Sequence, residues 1–65
     1  MESEYMICWT AGSQKFWEDA ESRREVAAML GRLGLDSKDS GVVILKRESD
    51  SEASILSVED IFAAL

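Results

Sequence analysis

The segment GVVILKRESDSEASILS, residues 41–57, runs apolar, then acidic and serine-rich, then apolar again. VVILK is β-branched and continuously apolar, the pattern of a strand buried within a sheet. RESDSE turns the chain and ASILS returns it, so the segment reads as a β-hairpin with an acidic middle. Ser57 then starts a helix. SVED has capping spacing, and Leu56 before the cap with Ile61 at the fourth helical position matches a hydrophobic staple. The last helix is the short VEDIFAAL, residues 58–65.

Upstream of the hairpin, DSKDSG at 36–41 is a polar loop. Before it, Ser22 and Glu25 in SRRE give a second capping pattern. Val26, Met29, Leu30 and Leu33 follow at i, i+3, i+4 and i+7, one apolar helical face. Gly34 suits the left-handed position past the helix end, with Leu35 folding back on Leu30 in a Schellman closure. Gly31 inside this helix costs roughly 1 kcal/mol relative to alanine, and close packing is the expected reason for it. Near the start of the chain, EYMICWT is rich in strand formers, AGS at 11–13 signals a turn, and QKFWEDA reads as a returning strand. A helix from Ser13 is the competing reading of that last piece. Tyr5, Ile7 and Trp9 share one parity, Met6 and Cys8 the other, so the first strand is expected to be covered on both sides or to lie in an interface.

The two helix starts, SRREVAAML (22–30) and SVEDIFAAL (57–65), share serine, an acid at +3, a β-branched aliphatic at +4, alanine at +6 and leucine at +8. The expected fold is α+β: ββα twice over, an antiparallel four-stranded sheet with both helices on one face.

At 65 residues the chain is read as one domain with a thin stability margin. Its one cysteine, Cys8, allows no internal disulfide, and the lack of histidine excludes Cys/His zinc sites. Efficient packing, self-association or a partner must then stabilise it. The acidic MESEYMICW start lacks the basic and apolar regions of a signal peptide, and no apolar run is long enough to span a membrane. The expectation is a soluble, cytoplasmic protein.

Without histidine, Ser-His-Asp and Cys-His catalysis are excluded. No phosphate-binding glycine loop or dinucleotide fingerprint occurs. Cys8, between Ile7 and Trp9, reads as a small core residue. Adjacent carboxylates such as Glu18/Asp19 and Glu59/Asp60 diverge in space. Glu48, Asp50, Glu52 and Glu59 fall at positions 1, 3, 5 and 12 of an EF-hand-like spacing, but Ala53 replaces the glycine of the sharp turn and the upstream segment is a strand. The chain is therefore read as no enzyme, with no cofactor and no metal. Trp9 and Trp17 are read chiefly as partners across the first hairpin, the sharper reading being that one is exposed as an interface anchor.

Seven basic residues oppose thirteen acidic ones, a net charge of −6. Such a balance disfavours direct contact with nucleic acid or anionic lipid. From Glu48 to Asp60 there are five acids and no base. On an extended strand Glu48, Asp50 and Glu52 would form a row, about 7 Å between neighbours. Asp19, Glu21 and the Asp36/Asp39 loop would extend an acidic face. The bland alternative is a solvated hairpin tip that protects solubility and discourages edge pairing.

This length, acidic balance and lack of catalytic residues resemble, in overall character and in no motif, the small inhibitor proteins that phages make against bacterial defences, anti-CRISPR and anti-restriction proteins of the DNA-mimic kind among them. The resemblance implies occupation of a nucleic-acid-binding surface on a host nuclease or CRISPR effector complex. The leading expectation is a non-catalytic protein in which Glu48, Asp50, Glu52, Glu59 and Asp60, with Asp19 and Glu21, meet a basic protein surface. The competing expectation is a small self-associating structural or regulatory domain, a homodimer formed through strand faces including Ile7, Trp9 and Val43.

Overall fold

The computed structural model describes residues 4–64. The element order is β1 (Tyr5–Ala11), β2 (Gln14–Ala20), α1 (Arg23–Leu33), β3 (Val43–Arg47), β4 (Ala53–Leu56) and α2 (Val58–Ala63). This is the ββαββα arrangement of an α+β domain. The strands form one antiparallel sheet in the order β2-β1-β3-β4, leaving β2 and β4 as edges. QKFWEDA is thus a strand and not the start of a helix. Ala11 pairs with Gln14 across a two-residue turn in which Gly12 has φ +67°. A glycine first in such a turn accepts the positive φ that follows the right-handed twist of the hairpin.

Both helix starts are capped as their sequences require. The Ser22 hydroxyl accepts from the Glu25 N–H at 3.1 Å, and the Ser57 hydroxyl accepts from the Asp60 N–H at 3.1 Å. At Ser57 the box closes, because the Asp60 carboxylate accepts from the Ser57 N–H at 3.0 Å. At Ser22 the returning arm slips by one residue, and the Glu25 carboxylate accepts from the Glu21 N–H at 3.4 Å. At the other end of α1, Gly34 is left-handed, with Leu35 N–H donating to the Leu30 carbonyl at 2.8 Å and Gly34 N–H to that of Gly31 at 3.3 Å. That pair of bonds is the expected Schellman closure.

Strand register assigns the two faces of the sheet. Ile7 lies opposite Ile44, and Ile44 opposite Leu56. These residues and Tyr5 and Ala20 face the helices. Val26, Ala27, Met29 and Leu30 from α1 and Val58 and Ile61 from α2 pack onto them. Ile7, Ile44, Val26, Leu30 and Ile61 are wholly buried. Burying each such aliphatic side chain contributes about 1.5–3 kcal/mol. The staple is in place: Ile61 is buried and Leu56 packs against the core. Leu33 departs from the expected apolar face and is exposed, as it sits at the last turn of α1, beyond the cover of the sheet. Gly31 departs as well. A side chain there meets nothing within 4 Å, so close packing does not account for this glycine.

No helix among the described residues is long and apolar enough to cross a membrane. Leu65, the last residue expected in α2, lies outside the described residues.

Candidate functional site

The helices cover one side of the sheet only. On the other side the register places Trp17 beside Cys8 and Cys8 beside Val43, forming one row. The adjacent row is Asp19, Met6, Leu45 and Ile55. With strands about 4.8 Å apart and same-face residues about 7 Å apart along a strand, the two rows make one contiguous patch. Met6, Trp17, Val43 and Ile55 are open to solvent, Trp17 at 62% and Ile55 at 75% of their full exposure, whereas Cys8 and Leu45 are half-buried. A single exposed leucine or valine is ordinary, but six apolar or thiol side chains in two rows are a mark of an interaction surface.

This geometry corrects the tryptophan reading. Trp9 and Trp17 do not pair, since odd residues of β1 lie opposite even residues of β2. Trp9 instead stacks on Phe16 on the helix side, with ring centroids 5.8 Å apart and planes at 22°. Trp17 lies on the open side beside Cys8, exposed to solvent. The expected homodimer surface is corrected in the same way. Ile7 is wholly buried beneath the helices and Trp9 stacks on that same side, so of the three only Val43 belongs to the open face.

The acidic residues gather at one end of the open face. A cavity of about 420 Å³ is lined by Glu4, Asp19, Asp50 and Glu52, with Met6 and Leu45 contributing apolar wall and Arg47 among the carboxylates. Arg47 is brought there by backbone pairing, its N–H donating to the Glu4 carbonyl at 2.8 Å. Four acidic residues and one arginine therefore line this cavity. Asp19, at the end of the edge strand β2, also lines a second cavity of about 310 Å³ between β2 and α1, with Glu18, Glu25 and Arg32.

The remaining acids are placed elsewhere. Residues 48–52 form the β3–β4 loop and not a strand, so the expected row of Glu48, Asp50 and Glu52 does not form. The loop closes on itself, with Glu48 N–H and Ser49 N–H both donating to the Glu52 carbonyl, at 3.0 and 3.2 Å. Asp50 and Glu52 line the cavity, whereas the Glu48 carboxylate accepts from the Ser54 hydroxyl at 3.0 Å. Ser54 lies opposite Lys46, on the helix-side parity of β4, so Glu48 is held away from its two neighbours. Glu59 and Asp60 begin α2, beyond the far end of β4 from this loop. The Asp60 carboxyl is committed to the cap. The Ser57 N–H and then the Ser57 hydroxyl hold its pKa below the ordinary carboxylate value, with the Arg23 guanidinium lowering it further. Arg23 reaches the same turn, donating to the Asp60 carbonyl at 3.4 Å. Glu21 sits in the β2–α1 connection, its N–H engaged by Glu25. Asp36 and Asp39 lie in the α1–β3 loop.

The EF-hand-like spacing is likewise broken up, because β4 separates Glu59 from the loop that carries Glu48, Asp50 and Glu52. Among the described residues no three carboxylate or thiol groups converge as metal ligands do. Neither Glu4 nor Leu45 is marked as a site residue by the sequence, whereas Met6, with Cys8, is read there as a second apolar parity of β1 that is covered or lies in an interface. The apolar second parity of β1 was the available signal for the open face. Comparison of the chain with protein-family models, with curated proteins and with solved structures finds no match.

Proposed function

We propose that this domain is a non-catalytic binding protein whose acidic sheet end meets a basic surface of a protein partner. The observation that carries the reading is the convergence of Glu4, Asp19, Asp50 and Glu52, from three separate parts of the chain, around one cavity with an apolar wall. Carboxylates held on a sheet end and a closed loop give a directional field, which raises the association rate with a cationic surface and weakens with salt. Met6 and Leu45 beside them offer the aliphatic stems of lysine and arginine an apolar contact. In its finer form the proposal takes the partner surface to be one that otherwise holds nucleic acid, on a nuclease or CRISPR effector complex in the cytoplasm, as the resemblance to phage inhibitors implies. Glu59, Asp60, Glu21 and Glu48 leave the proposed contact set, since their positions or hydrogen bonds take them away from the cavity.

The test is capture from a bacterial lysate on immobilised protein at low and high salt, followed by competition with duplex DNA. The expected result is a partner held at low salt, released at high salt, displaced by DNA, and lost in an Asp19→Lys/Asp50→Lys/Glu52→Lys variant that stays folded. Equal capture by that variant and the wild-type protein overturns the proposal.

A further inference from the structure

The apolar part of the open face calls for its own occupant, and we propose that it is a second copy of this chain, packed sheet to sheet with strand ends exchanged. The open side of β2 reads Lys15, Trp17, Asp19: a cation, an aromatic and an anion at alternate positions of one strand. This pattern is self-complementary. A two-fold axis crossing the strands at the level of the apolar rows turns each β2 end for end over its mate. Lys15 of each copy then comes against the Asp19 end of the other, and the row of Trp17, Cys8 and Val43 in each copy meets the same row of its mate. In an isologous interface one patch must satisfy itself in this way. The alternative axis, parallel to the strands, is disfavoured by charge. It sets the two acidic loops side by side, in a protein that already carries a net charge of −6.

The size of the patch fixes the strength of the contact. Four strands about 4.8 Å apart and about 20 Å long present a face of roughly 400 Å² per copy before side-chain relief is counted. Two such faces, roughly 800 Å² together, fall below the standard size of specific interfaces and in the range of weak, reversible association. Sheet faces packed about 10 Å apart bring the two layers of side chains into contact without disturbing either helical cover. With ends exchanged, the two acidic cavities lie at opposite ends of the dimer. Asp19, Met6 and Leu45 belong both to this interface and to the acidic cavity, so the dimer and the proposed basic-partner contact compete for those residues, and dimer formation does not rest on that contact.

Sedimentation of the purified protein over a concentration series, from micromolar to millimolar, tests the inference. The expected result is a rise in mass from 7.2 kDa toward twice that value. The dimer is retained at high salt, which screens repulsion between like-charged copies, whereas the basic-partner contact is lost there. Trp17→Asp, at a site 62% exposed and on the axis row, is expected to keep the fold by circular dichroism and to abolish the rise. Lys15→Glu alone acts at two symmetry-related pairs and weakens association about tenfold. The double variant Lys15→Glu/Asp19→Lys exchanges the charges and restores it. A constant mass of 7.2 kDa across the series overturns the dimer. A rise that the double charge exchange fails to restore overturns the end-exchanged arrangement.

Discussion

The two faces of the sheet are built from the same strands and the same kinds of residue, yet they do different things. Ile44 and Leu45 are neighbours in one strand: Ile44 is wholly buried beneath the helices, and Leu45 lies on the open side among Met6 and Ile55. The covered face takes its stability from packing against two short helices. The open face, with Met6, Trp17, Val43 and Ile55 exposed, adds little to the fold of a single chain. The difference shows that apolarity in a strand carries two meanings, which only the position of the covering layer separates.

Truncation on the two faces breaks or sharpens that contrast most strongly. Ile44→Ala leaves a cavity between sheet and helices and is expected to cost about 2–5 kcal/mol, a large share of the stability of a domain of 65 residues. Ile55→Ala removes a similar side chain from the open face and is expected to change monomer stability by less than about 0.5 kcal/mol. Urea denaturation at low protein concentration measures both, and equal losses would erase the distinction between the faces. A smaller effect comes from the covering layer itself. Gly31 lies in α1 with open space where a side chain would stand, so Gly31→Ala is expected to stabilise by about 0.5–1 kcal/mol through helix propensity. A loss of stability there would mean that α1 approaches a neighbour at that position.

The smallest effect concerns pH. The carboxyl of Asp60, at the start of the second covering helix, has its pKa lowered by the Ser57 N–H and hydroxyl, with help from Arg23. A depressed folded-state pKa contributes stability that is fully present above the unfolded value of about 3.9 and disappears as pH falls through the folded value. Melting temperature followed into acid should therefore fall less steeply in Asp60→Asn than in the wild-type protein. Parallel curves would remove the cap from the account of α2.

The parts of this fold that depend on neighbours in sequence were legible. Ser22, Ser57 and Gly34 mark helix ends because capping satisfies backbone groups within a few residues. AGS and RESDSE mark the two hairpin turns for the same local reason. The strand order and the grouping of the acids depend on distant pairings. Glu4 and Asp19 meet Asp50 and Glu52 only because β1 lies between β2 and β3, a fact of registration across the chain. The alternation of Tyr5, Ile7 and Trp9 with Met6 and Cys8 did carry the open face, but it could not say which parity the helices would take. The stack of Trp9 on Phe16 shows the same limit, since one residue of register decides whether the tryptophans share a side.

The loop from Glu48 to Glu52 is closed by its own backbone, so its middle residues, Ser49, Asp50 and Ser51, hold no place in the core. Lengthening such a loop is thermodynamically cheap, with each doubling costing about 0.6 kcal/mol. Selection can therefore rewrite this segment, or insert into it, while the scaffold stays folded. The molecule thereby separates a packed scaffold from a segment whose sequence the fold leaves open.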